Sequence, residues 1–188
     1  MTDTEQAPTG PAPAPAAFPE RGPRLPELDP RLAAFLTEES AALDERDYQG
    51  WLGLLAEDFM YQVPVPLVRE DPALPRFSDT AVLFEATKRM LAMKLGRVGQ
   101  QHAWSDRPAG VVRHFVGGVR VFAGPTPGTL RVDSNLLATF NRGSAESALI
   151  TAGRWDIVTE QGDGYRLSRR RVLLDVEVPT YEQLSIIF

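Results

Sequence analysis

From Val111 onward the apolar residues recur with a period of two, and they hold that period nearly to residue 178. Alternation of this kind puts every second side chain on one face of an extended strand, so this half of the chain must build a sheet with one covered face. Four strands are legible, over 111–122, 129–141, 148–159 and 165–178. The second is the clearest, because Leu130, Val132, Leu136, Ala138 and Phe140 all fall on one side. The stretch EQGDGY at 160–165 supplies a tight turn between the last two strands, and Gly117-Gly118 inside the first marks a bulge or bend.

The first half has a helical period instead. Asp29-Pro30 opens a helix, with Asp placed to cap it and Pro at its first position. Leu32, Phe35, Leu36 and Leu43 share one face of that helix, which runs to about residue 45. Asp47 is placed to cap a second helix carrying Tyr48, Trp51, Leu52 and Leu55 at i, i+3, i+4 and i+7. FMYQVPVPLV reads as a short strand whose prolines confine it to a sheet edge or to its own end. Ser78-Asp79 reads as the start of a third helix reaching about Leu95, with Val82, Leu83, Ala86, Met90 and Met93 inward and Gly96 as its stop. Helices followed by a run of antiparallel strands predict an α+β fold, a curved sheet wrapped around its own helices.

Residues 1–29 differ in composition. They are rich in Pro and Ala, which favours extended chain with little to bury, so they read as a flexible arm ahead of one domain over 30–188. Phe18 and Leu25 are the residues by which such an arm could lie on a partner.

Composition narrows the chemistry. A net charge of −5 argues against nucleic-acid binding, which needs clustered, uncompensated Lys and Arg. No apolar run approaches the roughly 20 residues of a membrane span, and no basic-then-apolar leader is legible, which makes a cytoplasmic protein the expectation. With no cysteine and two histidines, a Rieske cluster has no thiolate ligands, and an iron triad would need both His102 and His114. No Ser sits in a G-x-S-x-G turn, and no Gly-rich phosphate loop precedes a helix. A curved sheet over helices does make a conical pocket, in which one buried carboxylate can act as a general base. Asp44, Asp47, Asp58, Asp133 and Asp175 are the nominal candidates, with plainer roles open to them as helix cap (Asp47), strand entrance (Asp58) and arginine partner (Asp175). Alternation fills the cone with Leu, Val, Ile and Phe and few polar groups.

The hardest feature to place is YRLSRRRVLLDVEV at 165–178, three arginines inside an apolar strand. Arg169 and Arg171 share one face and Arg170 takes the other. An unpaired buried guanidinium is very costly, so each must reach water or a carboxylate. Asp175 on the face of Arg169 and Arg171, together with Asp133, Asp156 and Glu177, are the partners within reach. Two readings stand: a solvated or internally paired strand, or a charge network with His114 at a subunit interface. The closing LSIIF, with Ile186, Ile187 and Phe188, calls for burial against something.

In order along residues 31–188, LDERDYQGWLGLLAEDFMYQVP, RFSDT, RHFVGGVRV, VDSNLLATFNR and GYRLSRRRVLLD…LSIIF resemble the small (β) subunit of aromatic-ring-hydroxylating dioxygenases. The sequence departs from that pattern at Gly117-Gly118, where many relatives carry a polar residue, and in the Pro/Ala-rich arm. The resemblance implies a cone-shaped α+β barrel like that of ketosteroid isomerase and nuclear transport factor 2. It also implies an oxidoreductase complex acting in aromatic catabolism, with three large and three small subunits. The large subunit would carry the Rieske 2Fe-2S cluster and a mononuclear iron, while this chain, with no cofactor of its own, would scaffold. Its expected partners are the large subunit and other copies of itself, with neither nucleic acid nor membrane. Trp104, Arg113, His114, Arg169, Arg170, Arg171, Asp175 and Phe188 are the expected subunit contacts, with no catalytic or metal residue. Two other readings remain open: a stand-alone isomerase, dehydratase or hydrolase using a buried carboxylate, and a non-enzymatic small-molecule binder.

Overall fold

The computed structural model describes residues 17–98, 110–141, 147–162, 164–176 and 187–188. The alternation after Val111 becomes four strands, β3 (Val111–Ala123), β4 (Thr129–Asn141), β5 (Ala148–Gln161) and β6 (Gly164–Leu174). Before them come a 3-10 turn (Pro26–Leu28), α1 (Asp29–Asp44), α2 (Tyr48–Gly53), β1 (Leu55–Pro66), β2 (Phe77–Thr87) and α3 (Lys88–Val98). The described strands form one sheet in the order β2-β1-β6-β5-β4-β3, antiparallel throughout except that β1 runs parallel to β6. The sheet curls into a cone with α1 packed across its β3 side and α3 against β1.

Two bulges set which residues face the cone. On β3, Gly117 to Arg120 spans three steps against two on β4, with Gly118 at φ 61°. A Cβ at Gly118 would sit 2.9 Å from the Asn135 side-chain nitrogen, so glycine answers both the backbone angle and the close approach. On β6, Leu167 opposes Val158 but Arg169 opposes Ile157, which leaves Ser168 as the extra residue, its hydroxyl donating to the Ile157 carbonyl. That one-residue insertion turns Leu167 and Arg170 to the same interior face and sends Arg169 and Arg171 outside.

Four expectations from the sequence are corrected. Ser78-Asp79 opens no helix: 77–87 is strand β2, because Val82, Phe84 and Ala86 also alternate and the ladder to β1 decides between the two periods. Ser78 still behaves locally as a cap, its Oγ accepting from the Thr80 and Ala81 N–H groups. The helix begins ten residues later and buries Leu91 and Leu95, leaving Met90 48% and Met93 49% exposed, and it runs through Gly96. Leu55, which the helical period placed on α2, is instead the first residue of β1; that strand lies between β2 and β6, and of the two placements open to its prolines the structure shows the second, Pro64 and Pro66 at its irregular end. Asp29 does not cap α1; it accepts from the Val121 N–H and pairs with Arg24.

The expected arm also divides. Residues 1–16 lie outside the described residues, whereas 17–28 pack on the sheet. Leu25 N–H donates to Val121 O at 2.9 Å and Ala123 N–H to Pro23 O at 2.8 Å, so this segment covers part of the exposed β3 edge. Phe18 is buried against Trp155, ring centroids 5.8 Å apart, with the Arg131 guanidinium 4.7 Å from its own ring centre. The helix register gives a direct test. Leu91→Ala is expected to lower unfolding free energy by about 2–4 kcal/mol, and Met90→Ala by no more than about 0.5 kcal/mol, in urea titrations.

Candidate functional site

On α1, Leu32, Leu36, Glu39 and Leu43 fall at i, i+4, i+7 and i+11, one stripe facing the cone, and all four are buried. Glu39 therefore enters an apolar interior as a carboxylate. β5 does the same with two charges: Ile150, Ala152, Arg154, Asp156 and Val158 are its inward-facing series, and none is more than 3% exposed. The β6 bulge adds Arg170.

These four side chains make one neutral cluster at the centre of the cone. Arg170 directs all five of its N–H groups into it. Nε donates to Asp156 Oδ1 at 2.8 Å and Nη2 to Asp156 Oδ2 at 3.2 Å. Nη1 donates to Glu39 Oε1 at 2.8 Å and Nη2 to Glu39 Oε2 at 3.3 Å, while Nη1 also reaches the Phe188 carbonyl at 3.1 Å. Trp51 Nε1 donates to Glu39 Oε1 at 2.6 Å. Arg154 sits at the long limit, 3.5 Å from Glu39 Oε2 and 3.3 Å from Ser134 Oγ, and its Nη2 has no partner among the described residues.

The electrostatics follow from this geometry. Burial alone would raise the Glu39 carboxyl, but the charges of Arg170 and Arg154, with the hydrogen bonds donated by Arg170 and Trp51, outweigh it and hold it at about 2. Burial lowers Arg170 as well, yet Asp156 and Glu39 reverse the sign and hold it above its ordinary value. Arg154, with burial and the like charge of Arg170 against it, ends below. Burial pushes the Tyr61 hydroxyl up to about 12. Among the described residues, Glu39 and Asp156 in this cluster are both committed to Arg170.

The mouth of the cone is closed by Ile187 and Phe188, both buried. His114 bridges this pair to α1, with Nδ1 2.7 Å from Asp44 Oδ1 and Nε2 2.9 Å from the Ile187 carbonyl. The carboxylate and the carbonyl both only accept, so both bonds run outward from the ring nitrogens. Both ring nitrogens are thereby engaged, and His114 has none left for a metal. Among the described residues no group of three His, Cys, Asp or Glu could hold a metal ion.

The other expected site residues are dispersed. Arg169 and Arg171 lie on the outer face, Arg169 5.1 Å from the Phe18 ring centre and Arg171 bonded to Ser78 O and to Asp79. Asp175 is 3.8 Å from Arg76, not beside those arginines. Asp133 binds Arg21 and Arg131 on the same outer face. Arg113 is largely exposed, 3.7 Å from Asp44. Asp47 caps α2 through the Gly50 N–H, and Asp58 is exposed on β1. Trp104, His102 and Glu177 lie outside the described residues. Arg170 and Phe188, expected at a subunit interface, are interior in this chain, at 0% and 1% exposure. The cone is also not the apolar interior expected. Glu39 and Arg154 were missed, although the α1 stripe and the β5 parity both point to them.

A cone of six described strands closed by helices is the fold of the ring-hydroxylating oxygenase small subunits. The structure of naphthalene 1,2-dioxygenase with indole in its active site superposes with a TM-score of 0.75, at 19% identity over 86% of each chain. In sequence, the biphenyl 2,3-dioxygenase β subunit of Rhodococcus jostii is 28% identical over 87% of this chain and 90% of its own length. The 3-phenylpropionate/cinnamic acid dioxygenase β subunit of Photorhabdus laumondii is also 28% identical, over 87% and 93%. Residues 38–180 match the profile of the ring hydroxylating beta subunit family, and the chain belongs to that family.

The network makes an acid-stability prediction. Glu39 binds its proton more weakly folded, at about 2, than unfolded, near 4.5, so the unfolded chain takes up the proton first as pH falls. The stabilisation is complete above about pH 4.5 and lost between there and pH 2, up to about 3 kcal/mol. Urea titrations across that window are expected to show the slope in the parent and a flatter one in Glu39→Gln. At pH 7, Arg170→Ala is expected to cost about 3–5 kcal/mol, and the exposed Arg113→Ala within about 0.5 kcal/mol.

Proposed function

We propose that this chain is the non-catalytic structural subunit of an aromatic-ring dioxygenase, assembled as three large and three small subunits in the cytoplasm. The complex would take NAD(P)H electrons through separate reductase components and use O2 to place cis-hydroxyls on an aromatic ring. The redox centres belong to the large subunit: with no cysteine, this chain supplies no thiolate for a 2Fe-2S cluster. No helix among the described residues is long and apolar enough to cross a membrane.

One observation carries this reading against a stand-alone enzyme. The cone, where a general base would have to work, is filled by a charge-neutral, mutually bonded cluster and sealed by Ile187 and Phe188. Of the five nominal carboxylates, Asp44 is tied to His114, Asp47 is used as a cap, Asp58 is exposed on a strand, and Asp133 and Asp175 pair with arginines.

What the cone lacks in reactivity the outer face offers in contact area. Val111, Phe115 and Leu149 are 51%, 59% and 63% exposed, and the register puts them on neighbouring strands around Leu137 and Thr139. Apolar clusters of this kind mark contact surfaces, and Arg113 and Asp175 supply a charged rim. This face is our candidate for the contact with the rest of the complex. Phe115→Asp with Leu149→Asp is expected to abolish co-purification with the large subunit, leaving circular dichroism and thermal midpoint close to the parent's. Retained iron-bearing complex, or turnover by the isolated small subunit, would contradict the reading.

A further inference from the structure

Ile187 and Phe188 are buried in the core. Their backbone groups do not join a ladder; side chains from three strands receive them. The Ile187 carbonyl accepts from His114 on β3, the Phe188 N–H donates to Tyr61 Oη on β1 at 3.1 Å, and the Phe188 carbonyl accepts from Arg170 on β6. Those receiving groups are themselves fixed: His114 by Asp44, Arg170 by Glu39 and Asp156. The Phe188 ring is enclosed, and Tyr61 is braced edge-on by Phe84, centroids 5.9 Å apart. A few convergent, prefixed polar groups around an apolar recess are how proteins build ligand sites, and alternate main-chain donors and acceptors read by side chains are how they capture short peptides.

We infer that the mouth of the cone is a binding site for an acylated aliphatic–aromatic dipeptide, and that Ile187-Phe188 is its occupant held in cis. The specificity lies in three main-chain bonds plus one ring pocket. A ligand must present acceptor, donor and acceptor in the order carbonyl, N–H, carbonyl, with an aromatic side chain after the N–H. The site is distinct from the face proposed above for assembly: its three receiving groups bond the Ile187-Phe188 main chain, and the link between the two is Asp44, which holds His114 and lies 3.7 Å from the rim residue Arg113.

The experiment is a chain stopped after Ile186, titrated with N-acetyl-Ile-Phe and followed by scanning calorimetry beside the parent. The shortened chain is expected to melt below the parent. The dipeptide is expected to raise its midpoint saturably, by about 3–6 °C at about ten times Kd, and to leave the parent unmoved because its site is full. N-acetyl-Ile-Ala, lacking the ring, is expected to have at least about tenfold weaker effect. No shift in the shortened chain, or equal shifts in shortened chain and parent, would overturn the inference. If the shortened chain does not fold, Phe188→Ala takes its place: its main chain still occupies the three bonds and only the ring pocket is vacated, so toluene replaces the dipeptide as probe, with a saturable rise in midpoint expected there and none in the parent, while no rise, or equal rises, would overturn the inference.

Discussion

Everything inside the cone is arranged around the Arg170 guanidinium. It is fully buried, and its five donors meet two carboxylates from different elements and one backbone carbonyl. A buried charge without such partners costs several kcal/mol, so the partners cannot be optional. Glu39 fixes α1 against β6, Asp156 fixes β5, and Phe188 brings distant sequence onto the barrel. One residue thereby couples the helical half of the chain to the sheet half. It also sets the chemical character of the interior: two positive and two negative side chains whose lone pairs and protons are committed to one another. The same arrangement that holds the fold commits both described carboxylates of the cluster, Glu39 and Asp156, to Arg170.

The two faces of β6 divide the labour. Interior Arg170 builds the network, while exterior Arg169 and Arg171 lie beside Phe18 and Trp155, with Arg131 4.5 Å from the Trp155 ring centre. Part of the outer face is thus covered by the chain's own residues 17–28. The part toward Val111, Phe115 and Leu149 is not covered by that segment and stays exposed. A family whose named members are subunits of larger enzymes needs stability from within and contact area outside. The inward charge cluster and the outward apolar patch provide one each.

The strand half was legible because alternation has a single interpretation once three or more strands must share a face: 129–141 is β4 to the residue. The start of the helix capped by Asp47 was legible for a similarly local reason, though not its end, since Leu55 continues the helical period but opens β1. The stretch 77–87 was not, because Val82, Leu83 and Ala86 satisfy a helical period while Val82, Phe84 and Ala86 satisfy an extended one; only pairing with β1, far in sequence, chooses. The split of the arginines between faces could be read from parity. Which face was inside could not, because Leu167 and Val172 disagree by one residue and the bulge at Ser168 is what reconciles them. Glu39 and Arg154 sat in plain view on buried positions, but a charged residue on an apolar stripe is usually read as an interruption. Their partners became visible only when α1, β5 and β6 converged.

The most direct test of this account is a double-mutant cycle on Glu39 and Arg170, measured by urea unfolding at pH 7 with Glu39→Ala, Arg170→Ala and the pair. If the two charges organise the interior together, each single change strands the other residue's charge, and the double mutant is less destabilised than the sum by about 2 kcal/mol or more. Losses that add within about 0.5 kcal/mol would mean that the two act separately, and that the fold does not depend on the bond between them.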